Sequence, residues 1–306
     1  MLNQSLHPQN EDLFVSGHRA CHGCGQAIAV RHILKATGKD VIVVVPTGCL
    51  ETFTLTYDFS SWRVPCIHHL FENAPAVASG VAAALAAKNK QHIRVLVIGG
   101  DGATFDIGFG SLSGMLERGD DVLYICMDNG AYMNTGGQRS GATMTYAATT
   151  THPPGKVSMG KPENKKDLPA IIAAHGVPYV ATASVAYLGD LRRKVKKAMT
   201  YRGPRYIQID TPCPSIWGYP PEHTLEIGRL GFRSGLVPII EMEDGKLKKV
   251  RKIDNKIDVI AYLKTQKRFR HLIDNDDACE ERDRIKAIAD SNMARYALCN
   301  CETGQG

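Results

Sequence analysis

"RVLVIGGDGATFDIGFG", residues 94–110, decides how the chain folds. The unbroken apolar run Val95 to Ile98 fits a strand covered on both faces, because a half-exposed strand would alternate. It stops at Gly99-Gly100-Asp101-Gly102, where glycine allows a tight turn. Helical spacing then resumes over 109–119. Strand, glycine turn and helix make the first half of a parallel strand–helix–strand unit.

The same pattern recurs on both sides. Runs at 41–45, 121–127, 179–183 and 205–210 also read as buried parallel strands. The intervening segments 26–37, 74–90, 165–176 and 187–200 carry helical periodicity. Together they predict an α/β protein with a doubly wound parallel sheet. Such sheets bind ligands outside the carboxyl ends of their strands. The stretch 132–164, "YMNTGGQRSGATMTYAATTTHPPGKVSMGKPEN", has no apolar periodicity and follows a strand end directly, so a functional loop is expected there. Past residue 225 the charge density rises and the pattern weakens. We therefore expect one main domain over 1–225 and a C-terminal extension, 226–306, that contacts another subunit.

Composition narrows the function classes. The 306 residues are 43% hydrophobic and 22% charged, enough apolar content for a large core. A net charge of +6 is mild, and the basic runs 192–202 and 246–252 read as solvated faces. No nucleic-acid module accompanies them, so nucleic acid is not an expected partner. No apolar run is long enough to span a membrane. The first residues lack a basic segment followed by an apolar one, so a cytoplasmic location is expected. Thiols stay reduced in that compartment, which makes the nine cysteines buried thiols, metal ligands or catalytic groups rather than disulfides.

Two strand ends carry the chemistry. Asp101, between Gly100 and Gly102, follows one strand, and Asn129 follows the next after 26 intervening residues (103–128). Neighbouring strands bring this carboxylate and this amide oxygen into one crevice. Flanking glycines let a bulky anion approach the backbone. Magnesium takes about six oxygens and shares them with phosphate readily, so a diphosphate held through Mg2+ suits the pair. Near the N-terminus, Cys21 and Cys24 form a Cys-x-x-Cys in "GHRACHGCGQA", 17–27. By residue type alone they fit an iron–sulfur cluster, a redox dithiol or a structural zinc.

Gly-Asp-Gly followed at this distance by Asn resembles the magnesium–thiamin diphosphate motif. A wider resemblance covers roughly residues 15–240 through "GHRACHGCGQAIAVRHILKATG", "PTGCLE", "ENAPAVASG", "GMLERGDDVLYICMDNGAYMNTGGQRS", "GKPENKKDLPAIIAAHGVPYVATASVAY" and "DTPCPSIWGYPP". These are similar to the β subunits of 2-oxoacid:ferredoxin oxidoreductases, and among them to the pyruvate:ferredoxin oxidoreductases, or pyruvate synthases. The resemblance implies a sheet of the diphosphate-domain type and three cofactors: thiamin diphosphate, Mg2+ and a [4Fe–4S] cluster. It assigns the cluster to Cys21, Cys24, Cys49 and Cys213. It assigns Mg2+ to Asp101, Asn129 and the Ala131 main-chain oxygen. Gly48, Cys49, Gly100, Gly102 and Thr135 would border the thiamin, and Asn134 would reach the reacting carbon as a catalytic residue. Topology agrees, since Cys49 and Cys213 follow predicted strands and would emerge at the edge that carries Asp101 and Asn129.

The implied activity is oxidative decarboxylation of pyruvate with coenzyme A, giving acetyl-CoA and CO2 and passing electrons through the cluster to ferredoxin. Another 2-oxoacid (2-oxoisovalerate, an aromatic 2-oxoacid or oxalate) and a non-redox thiamin enzyme with zinc remain alternatives. A glutamate that activates thiamin sits on a separate pyrimidine-binding domain in this family, and no second domain is apparent here. A partner subunit must supply it, and a ferredoxin-like subunit must hold further clusters. His68, His69, Glu72 and Asn73 are secondary candidates near the site. Cys66 and Cys126 read as buried apolar thiols, and Cys279, Cys299 and Cys301 as tail residues with no ligand pattern. Two departures stand out: Met144-Thr145 replaces an expected Pro-containing turn, and Ile216-Trp217 is inserted after Cys213.

Overall fold

The computed structural model describes residues 12–55 and 60–299; residues 1–11 and Cys301 lie outside them. One eight-stranded sheet organises the chain: β1 (Val41–Pro46), β2 (Cys66–His69), β3 (Arg94–Gly100), β4 (Val122–Asp128), β5 (Tyr179–Ser184), β6 (Arg205–Asp210), β7 (Ile240–Glu243) and β8 (Lys246–Val250). Its spatial order is β2-β1-β3-β4-β6-β5-β7-β8. The first six strands run parallel, while β7 and β8 join antiparallel. The α/β sheet is thus observed, with an antiparallel edge added.

Helix α1 (Gly25–Thr37) precedes β1, and α2 (Cys49–Thr54), α3 (Ala74–Ala87), α4 (Phe109–Glu117), α5 (Leu168–Ala173) and α6 (Leu188–Thr200) connect the parallel strands. Beyond β6 lie α7 (Pro214–Trp217), α8 (Thr224–Arg233), α9 (Val259–Leu263), α10 (Arg270–Ile273) and α11 (Cys279–Tyr296). The expected helix 165–176 is shorter than its periodicity predicts, because Lys165 and Lys166 turn inward to buried acceptors. Helix α5 starts instead where the Asp167 carboxylate accepts the Ala170 N–H at 3.3 Å.

Strand β3 explains why the sheet is covered on both faces. Leu96 and Ile98 pack into one core with α1 and α6, through Ile33, Leu34 and Leu191. Val95 and Val97 enter the other with α3 and α4, through Ala78 and Leu112. All four strand residues are buried, so truncating one to alanine should cost about 2–4 kcal/mol. A third cluster joins α7 and α8 to the C-terminal helices through Trp217, Tyr262 and Phe269. The residues expected as an extension therefore begin inside α8 and contribute two strands to the sheet.

The loop 132–164 is ordered with little regular structure. Lys161, 1% exposed, donates to three carbonyl oxygens: Thr143 at 3.0 Å, Glu163 at 2.8 Å and Asn164 at 3.2 Å. One ammonium group thus replaces a ladder of backbone bonds.

A candidate cofactor site at the carboxyl ends of the strands

Asp101 follows β3 and opens a single turn of π-helix, Gly102–Asp106, which leads into α4. Asn129 follows β4, the adjacent strand. Asp101 Oδ2 accepts from the Ser140 hydroxyl at 2.5 Å, and Oδ1 accepts the Asn129 N–H at 3.4 Å. Burial first, then the nearby Asp128 carboxylate, push the Asp101 acid above its ordinary range. Ionised Asp101 therefore calls for a compensating cation.

Three oxygens supply a place for one. The Asn129 amide oxygen stands 2.8 Å from Asp101 Oδ1 and 2.9 Å from the Ala131 carbonyl oxygen, with no proton between them. Oxygens so close repel unless a cation sits among them or the amide turns over and donates. Octahedral Mg2+ with bonds of about 2.0–2.1 Å sets neighbouring ligand oxygens about 2.9 Å apart. The spacing fits magnesium. The turned amide also fits, because its oxygen would then accept from Gln26 Nε2 at 3.1 Å. Gln26 is buried, and its Oε1 has no partner. With the Asn129 oxygen held toward a metal, the Asn129 amide nitrogen faces Gln26, which must answer with Oε1.

Open backbone surrounds this triad. A Cβ added to Gly100 or Gly48 would meet nothing within 4 Å, leaving room for a ligand to touch main chain. At Gly102 a Cβ would lie 2.6 Å from the Tyr132 ring, so that glycine serves packing. The Tyr132 hydroxyl donates to Asp106 Oδ2 at 3.2 Å, and the Gly141 N–H donates to the same oxygen at 3.0 Å. These bonds clamp the long loop onto the π-turn. The tight turn between Tyr132 and Gln138 leaves Asn134 and Thr135 exposed, with the Thr135 hydroxyl donating to Gln138 Oε1 at 2.5 Å.

The cysteines converge on the same edge. In the first pair, the Cys24 N–H donates to the Cys21 carbonyl at 3.1 Å. Close packing pins this turn to the chain beyond β6: a Cβ on Gly25 would lie 2.9 Å from the Pro212 oxygen, beside Cys213. Cys49 opens α2 just past β1. Burial raises Cys24 to about 11, aided by the charges of Cys213 and Cys21. Burial raises Cys49 to about 12, aided by Cys213, Cys24, Asp101 and Cys21. Cys213 is raised by burial and by Cys21. The four thiols and Asp101 thus share one electrostatic neighbourhood, although no three His, Cys, Asp or Glu side chains form a closed metal cage among the described residues. Soft thiolates stabilised by bound iron or zinc would suit this donor set.

The remaining candidates separate. Cys126 is buried inside β4 as expected. Cys66 is not: it stands exposed at the start of β2, an edge strand of alternating exposure. His68 Nε2 shares a hydrogen bond with Thr47 at 3.1 Å and lies 3.7 Å from Glu51. The Asn73 side chain makes no cap on α3. Cys279 is exposed and Cys299 half-buried. Sequence reading missed Gln26 and Ser140, and it singled out Trp217 only as an insertion; the Trp217 indole N–H donates to the Asn129 carbonyl at 2.8 Å.

Comparison with known proteins then supplies the family. The profile described as thiamine pyrophosphate enzyme, C-terminal TPP binding domain, matches residues 46–209. Pyruvate synthase subunit PorB of Methanosarcina barkeri is 52% identical, over 92% of this chain and 96% of that protein. The chain belongs to the thiamin-dependent 2-oxoacid oxidoreductase subunits. Within that family, PorB of Thermotoga maritima is 42% identical, over 91% of this chain and 89% of its own length. Ketoisovalerate oxidoreductase subunit VorB of Pyrococcus abyssi is also 42% identical, over 92% and 94%. Among solved structures, a 2-oxoglutarate:ferredoxin oxidoreductase from Magnetococcus marinus is similar with a TM-score of 0.58 and 27% identity, over 69% of each chain. That structure has 2-oxoglutarate, coenzyme A and succinyl-CoA bound.

Proposed function

We propose that this chain is the thiamin-binding β subunit of a cytoplasmic pyruvate synthase, which oxidises pyruvate with coenzyme A to acetyl-CoA and CO2 and delivers electrons to ferredoxin. The observation that carries the redox reading is geometric: Cys49 follows β1 and Cys213 follows β6, the Cys21–Cys24 turn packs against Pro212, and Asp101 follows β3 at the same ends of the strands. It supports a one-electron acceptor beside a magnesium–diphosphate site. Pyruvate is favoured over 2-oxoisovalerate because relatives named for it reach 52% identity, against 42% for the relative named for ketoisovalerate.

In this reading Asp101, Asn129 and the Ala131 carbonyl hold Mg2+. Gly48, Cys49, Gly100, Gly102 and Thr135 border the cofactor. Bound thiamin diphosphate supplies the electron sink for decarboxylation, and a [4Fe–4S] cluster on Cys21, Cys24, Cys49 and Cys213 accepts single electrons. Asp101 neutralises metal charge while Ser140 fixes its second oxygen. Gly100 admits phosphate oxygens against the backbone. Asn134, free on its turn, offers an amide N–H to the substrate oxygen on which charge develops.

The domain division is read the same way, with 1–225 binding the cofactors and 226–306 reaching toward another subunit. A pyrimidine-domain subunit supplies the thiamin-activating glutamate, and a ferredoxin-like subunit carries electrons onward. Leu55, Leu70 and Ile107, 60%, 60% and 55% exposed, support such a cover. They follow α2, β2 and the π-turn, and α2 and the π-turn themselves follow β1 and β3 in the chain. Replacing Leu70 and Ile107 by lysine should reduce co-purification of the partners, measured by the subunit ratio on gel filtration. Activity is tested with the assembled complex, as reduction of a one-electron dye that requires both pyruvate and coenzyme A. Asp101→Asn should lower it by at least ~100-fold with assembly intact. A variant that keeps full activity contradicts the metal role of Asp101.

A further inference from the structure

A cavity of about 470 Å³ lies beneath the ends of β4, β6 and β5 and is roofed by α11. Most charged groups that line it are already paired. Asp128 is bonded to Lys165, and it accepts from Gln208 Nε2 at 2.7 Å. Asp167 holds Arg295 at 2.5 Å, and Lys166 reaches Asp106 at 3.2 Å. Arg284, toward the surface, donates to the Tyr146 hydroxyl at 3.1 Å and the Asn164 amide oxygen at 3.2 Å.

Two groups are left over, and their charges are opposite. Arg268 is 6% exposed and makes no ion pair with any described carboxylate within 4.0 Å. Its Nε donates to Gln266 at 2.8 Å and its Nη2 to the Tyr262 hydroxyl at 3.3 Å, while its plane lies 3.5 Å from the Trp217 ring. Nη1 has no protein acceptor among the described residues. Asp210 also lines the cavity: its Oδ2 accepts only from Ser184, at 3.0 Å, and its other oxygen has no donor among the described residues. Burial and the Asp128 carboxylate raise the Asp210 acid, and Lys165, then the Ser184 hydroxyl and Arg268, lower it. A buried guanidinium with one nitrogen unpaired and a half-buried carboxylate with one oxygen unpaired are costly to leave without a ligand. A single ligand with both charges would satisfy them together.

We propose that this cavity binds a small zwitterion, an α-amino acid with a short aliphatic side chain, its carboxylate on Arg268 and its ammonium on Asp210. Leu236, Val237, Ile288 and Met144 supply the apolar wall for that side chain. Trp217 forms another wall and donates to the Asn129 carbonyl, so occupancy is felt one hydrogen bond away from the candidate magnesium ligand. Met144 and Trp217 are also where the sequence departs from the pattern of the family it resembles. The proposal does not depend on the redox reading.

The test titrates the assembled complex with L-valine, with isovalerate (valine lacking the ammonium) and with isobutylamine (valine lacking the carboxylate), by calorimetry. The expected result is saturable L-valine binding, at least tenfold weaker binding of either half-molecule, and at least a tenfold loss in Asp210→Asn. Arg268→Met should lose it too. If that variant fails to fold, the wild-type series and Asp210→Asn decide alone. Equal binding of isovalerate and L-valine would overturn the zwitterion assignment. Absence of saturation with L-valine would overturn the site.

Discussion

Asn129 can present its amide in two ways, and the choice depends on what lies between Asp101 and Ala131. Without a metal, its NH2 donates to both oxygens and its carbonyl faces Gln26; with one, the amide reverses. In the proposed function Gln26 then has to present Oε1, which would make it a positioning residue for Asn129 as a metal ligand. Gln26→Leu should raise the Mg2+ concentration needed for thiamin diphosphate binding by roughly tenfold or more, as loss of an outer-shell partner does at metal sites. Gln26→Glu, which keeps an acceptor, should recover most of the affinity. A Mg2+ titration of cofactor binding in the assembled complex checks both, and an unchanged midpoint in Gln26→Leu contradicts the role. Asp101 and Asn129 were readable in the sequence because each ends a strand, so topology alone joins them. Gln26 was not, because it meets the β4 end across 101 residues and its signal is one ordinary glutamine at a helix start.

Edge strands were the least legible elements. Strand β2 is four residues of "CIHH", too short and too polar to register against the longer apolar runs. The β7–β8 hairpin did leave a mark, an Asp-Gly pair at 244–245 with φ of 48° and 74°, suited to a tight hairpin turn. The lysine-rich β8 beside it, with its charged and exposed side chains, reads as a surface run. What ties the hairpin to the body is charge as well as sheet bonding. Glu241 on β7, 1% exposed, accepts from Arg193 at 2.6 Å, Lys197 at 3.1 Å and the Tyr179 hydroxyl at 3.0 Å.

Burial opposes ionisation of Glu241, but those donors win and hold its acid at about 2, below the usual 4.5. A lowered folded-state value means that the stabilisation is complete above pH 4.5 and is lost as pH falls toward 2. Glu241→Gln should therefore lower the urea midpoint at pH 7, by an amount equivalent to roughly 3 kcal/mol, and the two curves should approach each other on acidification from pH 5 to 3. A gap that stays constant over that range would rule out this pairing as its source.

In the proposed function, this chain supplies one half of an active site and a partner subunit the other. The parallel sheet gathers Asp101, Asn129, Cys49 and Cys213 at one edge because each follows a strand, and this was visible from strand order alone. The anchoring of Cys21 and Cys24 was not, since it depends on Gly23 and Gly25 packing against Pro221 and Pro212 near 200 residues away in the chain. Leu55, Leu70 and Ile107 stay exposed. The chain alone should therefore show no pyruvate-dependent dye reduction, which should appear only on reconstitution with the other subunits.

The claim that joins the two halves of the site is that four thiols hold iron beside the metal–diphosphate pocket. The most direct measurement is the visible absorption spectrum, with iron and zinc content, of the anaerobically purified complex and of its Cys213→Ala variant. To keep the other subunits' clusters out of the comparison, it is read as the difference between the two. A cluster on these four cysteines requires a loss of absorbance near ~400 nm and of up to about four iron atoms per β subunit in the variant, the signature of one [4Fe–4S] cluster. Zinc lost in place of iron, or identical spectra and iron counts, would contradict it.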